Sequence, residues 1–206
     1  MKRIISSQTE GHGSCRRPAF ALFLLVIFTL SVFAGCKTES PVRSEEDAIE
    51  WPDLTEKEHV IETILLVYEH YKHSTNDLME HYEAVLYDDP ADEHDYVWNM
   101  QEGDIIAGHN PIMTRDEDIQ GTRYILDNVS ALTLDISMGT WEPVPDICEE
   151  CWETTRPYTI SAKMFIGGED MTFNGDNMRI HFVVGPDEQV PGTWAIYIAT
   201  DLPGSW

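Results

Sequence analysis

The chain has 206 residues, with 13 Lys and Arg against 37 Asp and Glu, a formal net charge of −24. Such a surplus of carboxylates excludes a nucleic-acid partner, whose binding rests on Lys and Arg at phosphates, and it excludes charge-driven docking on anionic lipid. The same self-repulsion keeps a folded domain in solution.

The chain opens with Lys2, Arg3, Arg16 and Arg17, followed by a 16-residue apolar run over 19–34 broken only by Thr29 and Ser31. The run is short for a membrane span, which needs about 20 apolar residues, and it matches the apolar region of a secretory signal. It ends in Phe33-Ala34-Gly35-Cys36. This ending resembles the lipobox of bacterial lipoproteins, although Phe33 stands where Leu is usual. The resemblance implies a signal peptide over 1–35 and lipidation of Cys36. The membrane is then a partner through this anchor, and Lys37 in place of an Asp favours the outer membrane, at its periplasmic or external face. Four of the 13 basic and one of the 37 acidic residues lie before residue 36, leaving 9 and 36 and a net −27 over 171 residues. Residues 36–54 are polar and acidic, with Pro41 and Pro52, and read as a flexible tether. Residues 55–206 are long enough for one domain with its own core.

Val60, Ile61, Ile64, Leu65, Tyr68 and Tyr71 recur at helical spacing, predicting a helix over 55–72 opened by a Thr55–Glu58 capping box. A second helix is expected over 75–86, capped by Ser74 or Thr75 and stopped at Asp88-Asp89-Pro90. Residues 88–113 read as irregular, though Trp98, Met100, Ile105, Ile106 and Met113 are too apolar for an exposed loop. Thr114 with Glu117 predicts another capping box and a third helix through Leu126. The period then changes to two, with strands over 132–138, 158–166, 178–184 and 194–198. Gly167-Gly168, Asn174-Gly175 and Gly185-Pro186 supply the turns between them. Helices first and strands afterwards predict an α+β fold, the N-terminal helices packed on a curved antiparallel sheet.

Two helices, a loop, a third helix and a meander ending in Gly192-Thr193-Trp194-Ala195-Ile196 and Asp201 resemble the NTF2-like superfamily, also called SnoaL-like or cystatin-like. The resemblance covers roughly residues 55–203. It implies a cone enclosing a pocket, and a family that includes isomerases, cyclases, dehydratases and proteins that only bind or dimerise. Tyr68, Tyr82, Trp98, His109 and Tyr124 are the residues placed to line such a pocket, with His109 as a base and Tyr82 as a donor in an enzyme reading. No isomerase base matches residue by residue. The first expectation is therefore a binding or assembly module for a small apolar ligand or a protein partner, a homodimer among them. The alternatives are an isomerase- or cyclase-like enzyme and a purely structural envelope protein. An enzyme requires a buried ionisable group with a displaced pKa beside a Tyr, in an open cavity.

Cys148-Glu149-Glu150-Cys151 permits a local disulfide, a redox pair or half of a zinc site. A secreted chain meets oxidising surroundings, so a structural disulfide leads these readings. Asp88, Asp89, Asp92, Glu93, His94 and Asp95 read as a solvated loop, and Asn174 to Asn177 as a hairpin turn. No phosphate loop, HExxH or Ser-His-Asp order appears, so neither a cofactor nor a metal is expected.

Overall fold

The computed structural model describes residues 48–89, 95–100 and 110–202. The lipobox, Cys36 and His109 lie outside these residues, as do Asp92, Glu93 and His94 of the acidic run. Among the described residues three helices, α1 (Lys57–Glu69), α2 (Thr75–Ala84) and α3 (Arg115–Asn128), pack on a seven-stranded sheet. Its strands are β1 (Val97–Asn99), β2 (Ile112–Thr114), β3 (Val129–Ile136), β4 (Glu142–Pro143), β5 (Trp152–Ile166), β6 (Glu169–Pro186) and β7 (Trp194–Leu202). The spatial order is β2-β1-β7-β6-β5-β3, with β4 beside the start of β5. The α+β class stands, but the sheet is mixed. β1 runs parallel to β7, with Val97 opposite Ile198, and the remaining pairs are antiparallel. About a hundred residues separate β1 from β7 in sequence, so no hairpin constrains their relative direction.

The Thr114–Glu117 capping box forms as its spacing predicts. The Thr55–Glu58 box does not. Asp53 Oδ1 takes the Thr55 amide at 3.1 Å and hydroxyl at 2.7 Å, and α1 starts behind Glu56 with no side-chain cap. Glu58 instead accepts two 2.7 Å bonds from the Arg156 guanidinium, and a charged fork outcompetes a backbone amide for a carboxylate. Residues 48–54, assigned above to the tether, lie on the domain. Ile49, Trp51 and Leu54 pack against the core, the Trp51 ring stacks on His81 at 3.8 Å, and the Trp194 amide donates to the Leu54 carbonyl at 2.9 Å.

Two strands, β1 and β2, fall in the stretch read as irregular, since three residues are too few to display a period of two. β5 begins six residues before the expected Tyr158. Pro157 hides that start, yet it is accommodated because only its carbonyl is used, accepting from the Ser137 amide at 2.9 Å. The expected turn at Asn174-Gly175 is absent. β6 runs through it with one extra residue between Gly175 and Met178, a bulge that places Asn177 at φ 56°. Gly167 and Gly168, at φ 62° and 90°, make the β5–β6 turn that twisted strands favour.

The main core lies between α1, α2 and the sheet, with Val60, Val67, Leu78, Val85, Phe182 and Val184 buried there. A second cluster, Ile125, Leu132, Ala162, Met164, Ile166 and Phe173, closes the other end of the sheet. Cys148 and Cys151 are joined, their Cα atoms 5.1 Å apart. The pair rests on Gly185 of β6, where a Cβ would stand 2.8 Å from Cys151 Sγ and 2.9 Å from the Tyr197 ring. Tyr197 cannot swing away easily: it stacks on Tyr87 at 3.9 Å and donates to the Pro186 carbonyl at 2.7 Å. Gly185→Ala should therefore destabilise the chain by about 1–3 kcal/mol in urea unfolding. The loss should shrink once dithiothreitol frees the sulfurs, and an equal loss in both redox states would contradict this packing.

Candidate functional site

Each described helix contributes to one cavity that the sheet also lines. On α3 the residues Asp118, Gly121, Thr122 and Ile125 fall at i, i+3, i+4 and i+7, one stripe of a 3.6-residue period. Tyr68 comes from α1, Tyr82 from α2, Tyr96 from the residue before β1, and Trp98 from β1 itself. Leu134, Tyr158, Ile180, Phe182 and Ile196 of the sheet form the floor. The cavity measures about 100 Å³, several times the 10–15 Å³ or so that one water needs. Arg115, at the start of α3, fixes the helices' mutual position by donating to the carbonyls of Glu83, in the last turn of α2, and Leu86, just past it, at 3.1 and 3.3 Å.

Asp118 is the one carboxylate among the described lining residues, and it is 4 % exposed. The Tyr82 hydroxyl donates to its Oδ2 at 3.0 Å, and the Tyr96 phenol also bonds to it. Burial pushes the carboxyl from its ordinary 3.8 up to about 6, working against the two phenol bonds, which favour the anion. Burial and then the Asp118 charge hold the phenols of Tyr68, Tyr82 and Tyr96 well above their usual range, so all three keep their protons at neutral pH. The Tyr68 hydroxyl meets Thr122 Oγ1 at 3.3 Å. No Lys, Arg or His stands among the described lining residues. A second buried pair starts in the floor itself, where Tyr158 donates to Asp201 Oδ1 at 3.0 Å.

Of the five residues expected to line the pocket, Tyr68, Tyr82 and Trp98 do so. Tyr124 does not. It lies six residues past Asp118, about 240° around the helix, and packs against the second cluster instead. His109 lies outside the described residues. The sequence reading missed Asp118, Tyr96 and Thr122. A signal for Asp118 exists, because it shares its stripe with Gly121, Thr122, Ile125 and Leu126, all buried. Among the described residues no three His, Cys, Asp or Glu stand close enough to hold a metal ion.

With this geometry the chain can be set beside known proteins. No family model matches it, and no curated protein does. It is similar to solved structures of the NTF2-like superfamily. One is a superfamily protein from Salmonella enterica serovar Typhimurium, at 10 % identity and TM-score 0.46, covering 71 % of this chain and 87 % of that one. Another is a protein of the NTF2-like family from Streptomyces avermitilis, at 13 % identity and TM-score 0.43, covering 71 % and 97 %. A third is ActVI-ORFA from Streptomyces coelicolor, at 11 % identity and TM-score 0.40, covering 69 % and 96 %. None of these likenesses carries an argument about chemistry, which rests on the cavity itself.

Proposed function

We propose that the chain is an NTF2-like cone that binds a small, mainly apolar molecule and anchors one polar group of it at Asp118. Element order, a mixed seven-stranded sheet with three described helices, and a cavity lined by both support this fold assignment. The observation that carries the binding reading is the pairing of an apolar cavity with a single buried carboxylate. Apolar walls supply affinity, and one placed polar group fixes orientation. A purely structural protein would instead fill the cone with side chains. The domain hangs on a lipid anchor at Cys36 facing the cell envelope, a reading supported by the lipobox-like ending. Labelled palmitate should enter the full chain and not its Cys36→Ala variant, and equal labelling of both would remove the anchor.

A second reading is favoured by one observation: Asp118 sits beside two phenols with its carboxyl raised to about 6. That is a poised general base in the sense of an isomerase- or cyclase-like enzyme. Cyclopentanone incubated with the protein in deuterium oxide tests it, because a base at Asp118 would exchange the protons next to the carbonyl. Exchange should rise as pH passes about 6 and vanish in Asp118→Asn. Binding of five-membered-ring probes without exchange leaves the binding module as the function, and the failure of every such probe to bind overturns both readings.

A further inference from the structure

The walls around Asp118 are aromatic and aliphatic, and no cationic side chain stands among the described lining residues. A buried carboxylate without a counterion is unfavourable, and here two phenols offset that only in part. A carboxylate offers roughly four lone-pair sites, so two acceptor positions remain after Tyr82 and Tyr96 have donated. The rings of Tyr68, Tyr82, Tyr96 and Phe182 surround the same space, and aromatic faces attract cations. Tyr96 also borders a broad open groove whose described lining carries Asp88, Asp89, Asp95, Asp116 and Glu188 against Arg115 as its single cation. Arg115 itself is engaged with the end of α2.

Resting on the binding reading above, we infer that the ligand is a small primary amine on an apolar body, its ammonium group taken by Asp118 and its body by the aromatic walls. The ammonium donates up to three hydrogen bonds, enough to reach both remaining acceptor positions of the carboxylate. The acidic groove, which shares Tyr96 with the cavity, raises the local concentration of cations beside it, and a net charge of −24 does so at longer range. An anionic ligand meets the opposite field at every stage.

Three probes of one ring and three charges test this: cyclopentylamine, cyclopentanol and cyclopentanecarboxylate, each titrated into the full chain and followed by the shifts of its amide and methyl resonances. The amine should bind about tenfold or more tighter than the alcohol, as a charge-assisted bond exceeds a neutral one, and the carboxylate should not compete. Asp118→Asn should bring amine and alcohol within about threefold of each other by removing that charge. The double variant Asp116→Asn with Glu188→Gln should slow amine association and flatten its salt dependence while the preference persists. An alcohol that binds as well as the amine overturns the inference and leaves the binding reading standing. A preference that survives in Asp118→Asn also overturns it, and binding by none of the three overturns both.

Discussion

Asp118→Asn is expected to stabilise the chain at pH 7.5 while removing its ligand selectivity. The carboxyl titrates at 3.8 when exposed and at about 6 in the fold. Between those values the folded state holds a proton that the unfolded state has lost, so stability falls as pH rises. The contribution is complete below 3.8 and gone once pH has passed about 6. At about 1.4 kcal/mol per unit, the ionised side chain weakens the fold at pH 7.5 by on the order of 3 kcal/mol relative to its protonated form. Asn keeps the shape, never ionises, and still offers Tyr82 an acceptor, so on the order of 2 kcal/mol of that should be recovered. Urea unfolding of both proteins at pH 3.5 and 7.5 checks the sign. The variant should lead at pH 7.5 and the gap should close at pH 3.5, where both side chains are neutral. A variant weaker than the parent at pH 7.5 would mean that the Tyr82 and Tyr96 bonds outweigh the burial of the charge. A stabilising change that abolishes ligand selectivity is the signature of a group kept for function.

The residues that were legible in sequence are those whose neighbours in the chain decide their structure. The Thr114–Glu117 cap depends on four consecutive residues and formed as written. The alternation in β5 depends on a single solvent-to-core gradient, and it survives in Tyr158, Ala162, Met164 and Ile166, all buried, whereas in β7 a bulge at Tyr197 breaks it and Ala195 and Ile196 are both buried. What escaped depends on distant partners. Thr55–Glu58 satisfies the same local rule as Thr114–Glu117, but Arg156, 98 residues away, claims Glu58. Asn174-Gly175 has the chemistry of a turn, yet β5 is long enough to pair on past it, and the local preference is discharged as a bulge. Asp118 was hidden by its company. Asp116, Glu117 and Asp118 together look like the acidic first turn that any helix favours. Only the stripe through Thr122 and Ile125 separates the carboxylate that faces the cavity from the two that face water.

Glu58→Gln is expected to lose about 2–3 kcal/mol, near the lower end of the range for a broken buried ion pair. The reason lies in the unequal burial of the two partners. The Arg156 side chain is 2 % exposed and that of Glu58 is 37 %. Removing the carboxylate's charge therefore strands a guanidinium that water cannot reach, while the glutamine can still accept one of the two bonds. The Trp141 indole, which donates to Glu58 Oε2 at 3.0 Å and lies 5.0 Å from the guanidinium carbon, does not supply a counter-charge. Arg156 Nε and its neighbour Thr154 Oγ1 are already buried without a partner, so the arginine site is under-satisfied even in the parent. It follows that Arg156→Met, which removes the charge and fills much of the volume, should change stability by only about 1 kcal/mol, since Glu58 can turn to solvent. The double variant should resemble Arg156→Met and not Glu58→Gln. The pH dependence carries the same signature. The Arg156 bonds hold the Glu58 carboxyl below its ordinary 4.5, so the pair's contribution is present above that value and is lost as pH falls through the lower, folded one. Arg156→Met should abolish this acid-side loss, and urea unfolding of the three variants between pH 3 and 6 measures it. If Arg156→Met weakened the chain as much as Glu58→Gln does, the pair would be a net source of stability, and the stranded charge would not be what the single variant exposes.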